Sequence, residues 1–495
     1  MAVSKTHYNA ETKIWRGPIS ESRYTLEDSI GAVVLDAMHQ YPDHVVQLCH
    51  QSGKEITNKQ MAELACSVAI NFSKLNLQQT DVVGVCSGNC DYVAPFCDGV
   101  VYDKIRQCLV ESGLENTPIY TVCNHIEGVP TVMELLNEKN VDEVFKLPPL
   151  KHGARQDAFY LCTSGSTNLP NVVRMSHYAI LYRMGVHRRS AKLLVFSGVF
   201  WFMGIVNTQK TRVITENPFS PQAFCEIVQK HKIEIAACSP SHIPLCLSCP
   251  EILAASDLTS LKTLFVAGKT LPYSLVSKFK EYAVNCEFPI VYGMTELCGA
   301  VSRGILDASN KVGQLVHNVE VRIVSDNGEN LGPNETGEIY IRTKYASSGY
   351  YCNPEASRLT YIEDGWIRSG DIGYFNDEGN FYVVDRRKDI LKYNNFHFSP
   401  TAIETVIYEI PDVAEVCVVG IPDITYDSLP AAAIVKRQGA NITEADVSQY
   451  VAKRMQHFEN LDGGVYFFDK LPLTASGKVL RKDVTDLCAK LRNKQ

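Results

Sequence analysis

Hydrophobic positions fall into three textures along the chain. Leu35, Met38 and His39, then Met61, Leu64, Ala65 and Val68, recur at three- and four-residue intervals, which predicts helices. Short apolar runs at Val82–Val85, Ile233–Cys238 and Thr263–Val266 predict buried strands, and helices alternating with such strands imply parallel sheets under helical cover. The texture then changes. Val319–Val324 and Gly337–Ile341 alternate apolar and polar residues on either side of the turns in DNGENLGPNETG, a pattern of antiparallel β structure. After an expected strand at Phe381–Val384, the charged residues Arg386 to Asp389 break the apolar pattern, which suits a hinge. Beyond them come a helix Thr401–Glu409 with Ile403, Val406 and Ile407 on one face, strands Val416–Val419 and Ala431–Val435, and a helix Glu444–Arg454. The expected fold is therefore α/β plus α+β. Residues 1–385 form a large N-terminal domain of layered sheets with helices and a β-rich subdomain, hinged to a small C-terminal α+β domain over 386–495.

At 495 residues the chain is too long for a single core, which agrees with two domains. Apolar residues at 45% and charged residues at 21% describe a soluble globular protein, and a net charge of -7 argues against a nucleic-acid surface. Residues 386–495 carry 15 Lys and Arg against 14 Asp and Glu, so no basic tail is hidden there. Small molecules are the expected partners. The longest uncharged apolar run, Leu193 to Val206, falls short of the about 18 residues a bilayer requires and reads as a buried strand, so no transmembrane segment is expected. MAVSKTHYNAETKIW lacks the apolar core of a secretory signal, and 17 cysteines without a disulfide rhythm suit a reducing, cytoplasmic setting. Cys246 and Cys249 form an isolated CxxC with only His242 nearby, too few ligands for structural zinc.

Five polar motifs interrupt these textures: TSGST at Thr163, Ser164, Gly165, Ser166 and Thr167; YGMTE at Tyr292 to Glu296; Gly370-Asp371; DRRKD at Asp385 to Asp389; and TASGK ending at Lys478. Each alone reads as a turn. Asp371, following Ser369-Gly370, is a short carboxylate able to accept two hydrogen bonds from vicinal hydroxyls. In this order and spacing, from about Tyr24 to Val484, the chain resembles the adenylate-forming superfamily, and within it the insect luciferase-like acyl-CoA synthetases and the 4-coumarate:CoA ligases.

The resemblance implies an ATP-dependent carboxylic acid–CoA ligase that acts through an acyl-adenylate on a medium- to long-chain fatty acid. Two alternatives stay open: a catalytically impaired nucleotide- or acyl-binding paralogue, and a luciferase-type monooxygenase. It makes the C-terminal domain mobile about Lys388 and implies ATP, Mg2+ and coenzyme A as ligands. Thr163 to Thr167 would cradle phosphate, Gly268 and Gly293 would line the nucleotide site, Tyr292 would stack on adenine, and Thr295 would bond phosphate. Glu296 would approach the metal, Asp371 and Arg386 would hold the ribose, Lys478 would serve adenylation and Lys392 thiolation. Phe200 and Trp201 fall where the acyl pocket is expected. The chain departs from the pattern at Asn168 and Asn171 in the phosphate loop and at Asn395, where glycine is usual. It is also shorter than the pattern near Phe96 and after Gly204. The sequence ends Asn493-Lys494-Gln495, without the Ser-Lys-Leu address of peroxisomal relatives, which leaves the peroxisome as the second compartment.

Overall fold

The computed structural model describes residues 5–74, 83–84, 102–114, 116–121, 124–137, 147–163, 170–183, 190–196, 209–239, 242–266, 271–394, 396–473 and 479–492. Strands Thr263–Val266, Ile235–Cys238, Ala191–Val195, Lys210–Ile214 and Val45–Cys49 run parallel in that spatial order, and Glu55–Thr57 closes one edge antiparallel. Successive side chains of a strand face opposite ways, so a strand covered on both faces must be apolar throughout. Leu193 and Val195 pack with Met38 and Ala62 from helices Ile30–Gln40 and Asn58–Lys74. Leu194 points the other way, into the core shared with Phe224, Ile227 and Val228 of helix Pro221–His231 and with Phe279 of helix Tyr273–Lys280. Helix Pro221–His231 starts where Ser220 accepts from the Ala223 amide and Pro221 occupies the first turn.

A second sheet is wholly antiparallel, in the order His7–Asn9, Ile14–Arg16, Val319–Val324, Gly337–Thr343, Trp366–Phe375, Phe381–Arg386. This is the expected β-rich section, with one addition. Its outer hairpin comes from the first residues of the chain, and Trp15 is buried there, stacked 4.4 Å from Phe375. Three-residue strands carry no readable alternation, so the hairpin was invisible to the periodicity.

The C-terminal part has its own sheet, built from Leu391–Tyr393, Phe396–Phe398, Val413–Asp423, Asp427–Lys436 and Gly464–Phe467. Val416, Val418, Ala432 and Ile434 face helices Pro400–Ile407 and Glu444–Ala452, while Cys417, Val419, Ala431 and Ala433 face helix Arg481–Arg492. The large N-terminal and small C-terminal arrangement expected from the sequence is the one observed. Two local readings are met only in part by the described residues. Within Leu193–Val206 the strand ends at Val195 and residues 197–208 lie outside the described residues. Only residues 83 and 84 of Val82–Val85 are described, and neither is in a strand.

Candidate active site

Asp371 lies in the strand Trp366–Phe375, directly opposite Arg386 on Phe381–Arg386. Gly370 before it has φ +71°, a left-handed conformation that glycine adopts without penalty. Ser369 fixes the turn, its hydroxyl accepting from the Asp371 amide (3.0 Å) and donating to the Ile339 carbonyl (2.8 Å). Asp371 is only 8% exposed. Its Oδ2 accepts from the Tyr292 hydroxyl at 2.6 Å, and Oδ1 stands 3.5 Å from Arg386 Nε. Burial pushes the pKa of this carboxyl up, the Tyr292 hydrogen bond and Arg386 pull it back, and Asp385 and Asp389 raise it further. The same burial, together with the Asp371 charge, lifts the Tyr292 phenol well above its ordinary range, so it stays a donor at neutral pH.

Tyr292 and Glu296 stand at opposite ends of one short motif. Strand Pro289–Met294 pairs with Gly299–Ile305 through a register shift between Tyr292 and Gly293. At Gly293 the two backbones approach so closely that a Cβ would come within 2.5 Å of the Gly299 carbonyl oxygen. Thr295 then opens a single tight turn, Thr295–Leu297. Glu296 is 8% exposed, and its Oε1 accepts from the Tyr350 hydroxyl at 2.7 Å. Its Oε2 has no hydrogen-bond partner among the described residues.

Thr163, the first residue of the TSGST motif, directly follows the first strand of the antiparallel hairpin Asp157–Cys162 and Val172–Ser176. Thr163 closes the loop's mouth: its amide donates to the Asn171 carbonyl (2.8 Å) and its hydroxyl accepts from the Asn171 amide (3.2 Å). The Asn171 side chain accepts from Asn353 Nδ2 at 3.0 Å, and Asn353 also caps helix Pro354–Thr360. The residue that departs from the family pattern is thus committed to the scaffold. Ser164, Gly165, Ser166, Thr167, Asn168, Phe200, Trp201, Gly268, Asn395 and Lys478 lie outside the described residues. The flanks of Lys478 are fixed, because Leu473 bridges Val479 and the Leu480 amide donates to the Pro472 carbonyl.

The structure therefore brings together Tyr292, Asp371 and Arg386, three residues 79 and 15 positions apart in pairs, and sets Glu296 on the same motif as Tyr292. Lys388 is exposed, just beyond Arg387, which is tied to Glu338 (2.5 Å) and Asp326 (2.9 Å). Lys392 is exposed on Leu391–Tyr393 and forms no ion pair with this group. Cys246 is buried, His242 stacks on Phe219 at 3.6 Å, and among the described residues no three metal-ligating side chains gather.

The AMP-binding enzyme model matches residues 100–351, and the model of the AMP-binding enzyme C-terminal domain matches residues 402–478. The chain belongs to the AMP-binding enzyme family. This AMP-binding enzyme is 26% identical to the probable 4-coumarate–CoA ligase 1 of Dictyostelium discoideum, over 93% of this chain and 95% of that one. It is 27% identical to the luciferin 4-monooxygenase of Photuris pensylvanica, over 94% and 97%. Among solved structures, an anthranilate CoA ligase bound to anthranoyl-AMP shares the fold with a TM-score of 0.80, at 19% identity over 95% of this chain and 99% of the other. Sequence reasoning missed Tyr350 and Asn353. Both pair with motif residues far away in the chain, and neither belongs to a local pattern.

Proposed function

We propose that this member of the family is an ATP-dependent carboxylic acid–CoA ligase whose substrate is a medium- to long-chain fatty acid. The observation that supports the reading is the convergence of Tyr292 and Arg386 on the buried carboxylate of Asp371, an acceptor suited to vicinal hydroxyls. A carboxylic acid is already ionised at neutral pH, so its oxygen attacks the ATP α-phosphate without a general base. The bond from α-phosphorus to the bridging oxygen breaks and pyrophosphate leaves. The CoA thiol then loses its proton to solvent and its sulfur attacks the acyl carbonyl, the bond from acyl carbon to the phosphate oxygen breaks, and AMP departs.

What remains for the protein is orientation and charge neutralisation. Asp371 would accept the ribose hydroxyls, Arg386 would steady them, and Tyr292 would flank the base. Thr163 to Thr167 would receive the β- and γ-phosphates. Lys478 would bridge carboxylate and α-phosphate as a point charge. Magnesium would fit Glu296, a hard anionic donor whose Oε2 accepts no hydrogen bond from the described residues. Bound there, it would neutralise phosphate charge. Rotation about Lys388 would withdraw Lys478 and present Lys392 to the thiolation step.

The test is carboxylate-dependent exchange of labelled pyrophosphate into ATP, run with fatty acids and with aryl acids, and repeated with Lys478→Ala. Exchange with fatty acids, lost in the variant, is expected. Exchange with aryl acids alone would move the substrate towards those named for the relatives. AMP binding without exchange under any acid favours a nucleotide-binding paralogue, the reading to which the commitment of Asn171 to Asn353 lends weight.

A further inference from the structure

We infer that Tyr350 is a positioning residue for adenylation: its hydroxyl holds Glu296 Oε1 so that the charge of the carboxylate is presented through Oε2. The inference rests on the ligase reading for its chemistry and on the following contacts for its geometry. Tyr350 and Glu296 are 9% and 8% exposed, and 2.7 Å separates hydroxyl and carboxylate. Tyr361 meets the Tyr350 ring edge-on at 5.6 Å and hydrogen-bonds Ser347, whose amide in turn donates to the Glu296 carbonyl (2.9 Å). Glu296 is therefore held by its backbone and its side chain from a single short segment.

That segment is also joined to the phosphate hairpin. The Tyr351 amide donates to the Val172 carbonyl (2.7 Å), the Arg174 amide to the Gly349 carbonyl (3.0 Å), and the Ser348 hydroxyl to Asp157 (3.1 Å). Tyr350 thus sets the angle of Glu296 relative to the strand that leaves the phosphate loop. A carboxylate pinned at one oxygen loses its freedom to rotate, and what it offers a metal–phosphate complex is a single directed oxygen. Burial and the Glu296 charge hold the phenol protonated, so the contact persists across the working pH range.

Tyr350→Phe in the full chain removes one oxygen atom. Pyrophosphate exchange should fall about tenfold or more, the cost of one hydrogen bond to a charged group, and the Mg2+ concentration for half-maximal rate should rise. AMP affinity, which uses Asp371 at the other end of the motif, should stay within about twofold. The double variant with Glu296→Gln should be no slower than Glu296→Gln alone. Unchanged exchange and metal dependence in Tyr350→Phe overturn the inference. Should that variant not fold, Glu296→Asp, which keeps the charge but retracts it from the hydroxyl, must show the same rise in metal requirement, and wild-type behaviour overturns the inference. If the unsubstituted chain shows no exchange, the ligase reading fails, and calorimetric binding of Mn2+·ATP decides the positioning role. Weaker binding by Tyr350→Phe supports it, equal binding overturns it, and no binding by either protein overturns it as well.

Discussion

The burial of Asp371 carries a stability cost. Burial raises its folded pKa above the ordinary 3.8, so folding favours the protonated form. Its contribution to stability is complete below the unfolded value and is lost as pH rises through the folded one. Asp371→Asn should therefore gain stability relative to the wild type as pH climbs from 3 to 7, in urea titrations about those limits, while AMP affinity drops by about tenfold or more. His242 has the opposite sign. Burial against Phe219 lowers its pKa from 6.5 to about 4, so its contribution is present above 6.5 and is lost as pH falls towards 4. His242→Phe retains the ring stack and should flatten the decline of urea midpoint across that window.

Single strands and turns determine which of these residues meet. The register of Trp366–Phe375 against Phe381–Arg386 puts Asp371 opposite Arg386, and the irregularity after Tyr292 turns the rest of YGMTE away from it. Gly293→Ala would force a Cβ to 2.5 Å from the Gly299 oxygen and should cost about 1–3 kcal/mol, measured by chemical denaturation. Much of this level was legible beforehand. The strands Thr263–Val266 and Val319–Val324 occur at the expected limits, because alternation and unbroken apolar runs are local signals. Motif order likewise marked Tyr292, Asp371 and Arg386. Tyr350 could not be found that way, since its partner is 54 residues away and nothing in SSGYYC distinguishes a hydroxyl that faces Glu296 from one that faces water. The Trp15 hairpin escaped for a related reason: its pairing partner, Val319–Val324, lies about 300 residues downstream.

At the scale of the molecule, Tyr408 packs against the large core, and hydrogen bonds of Asp385 and Arg437 also tie the C-terminal part to the rest. Asp385 accepts from the Ser399 hydroxyl (2.6 Å) and the Thr401 amide (3.3 Å) at the start of helix Pro400–Ile407, and Arg437 donates to the Leu247 carbonyl (2.9 Å). Asp385→Ala should release the first of these. A shift of about 1–2 kcal/mol, roughly tenfold in population, would appear as a broadened distance distribution between fluorophores placed on the two parts. Inside the C-terminal part, buried Glu404 pairs with Arg481 at 2.8 Å and accepts from the Val418 amide, welding the first helix to the segment that follows Lys478. Arg387 does the converse on the other side. Its guanidinium is fastened to Glu338 and Asp326, and its amide to the Gly370 carbonyl at 2.8 Å. Every torsion that a swing requires must then come after Arg387. In the proposed ligase cycle the ribose-side jaw would stay clenched between one chemical act and the next, and only the opposite jaw would be exchanged.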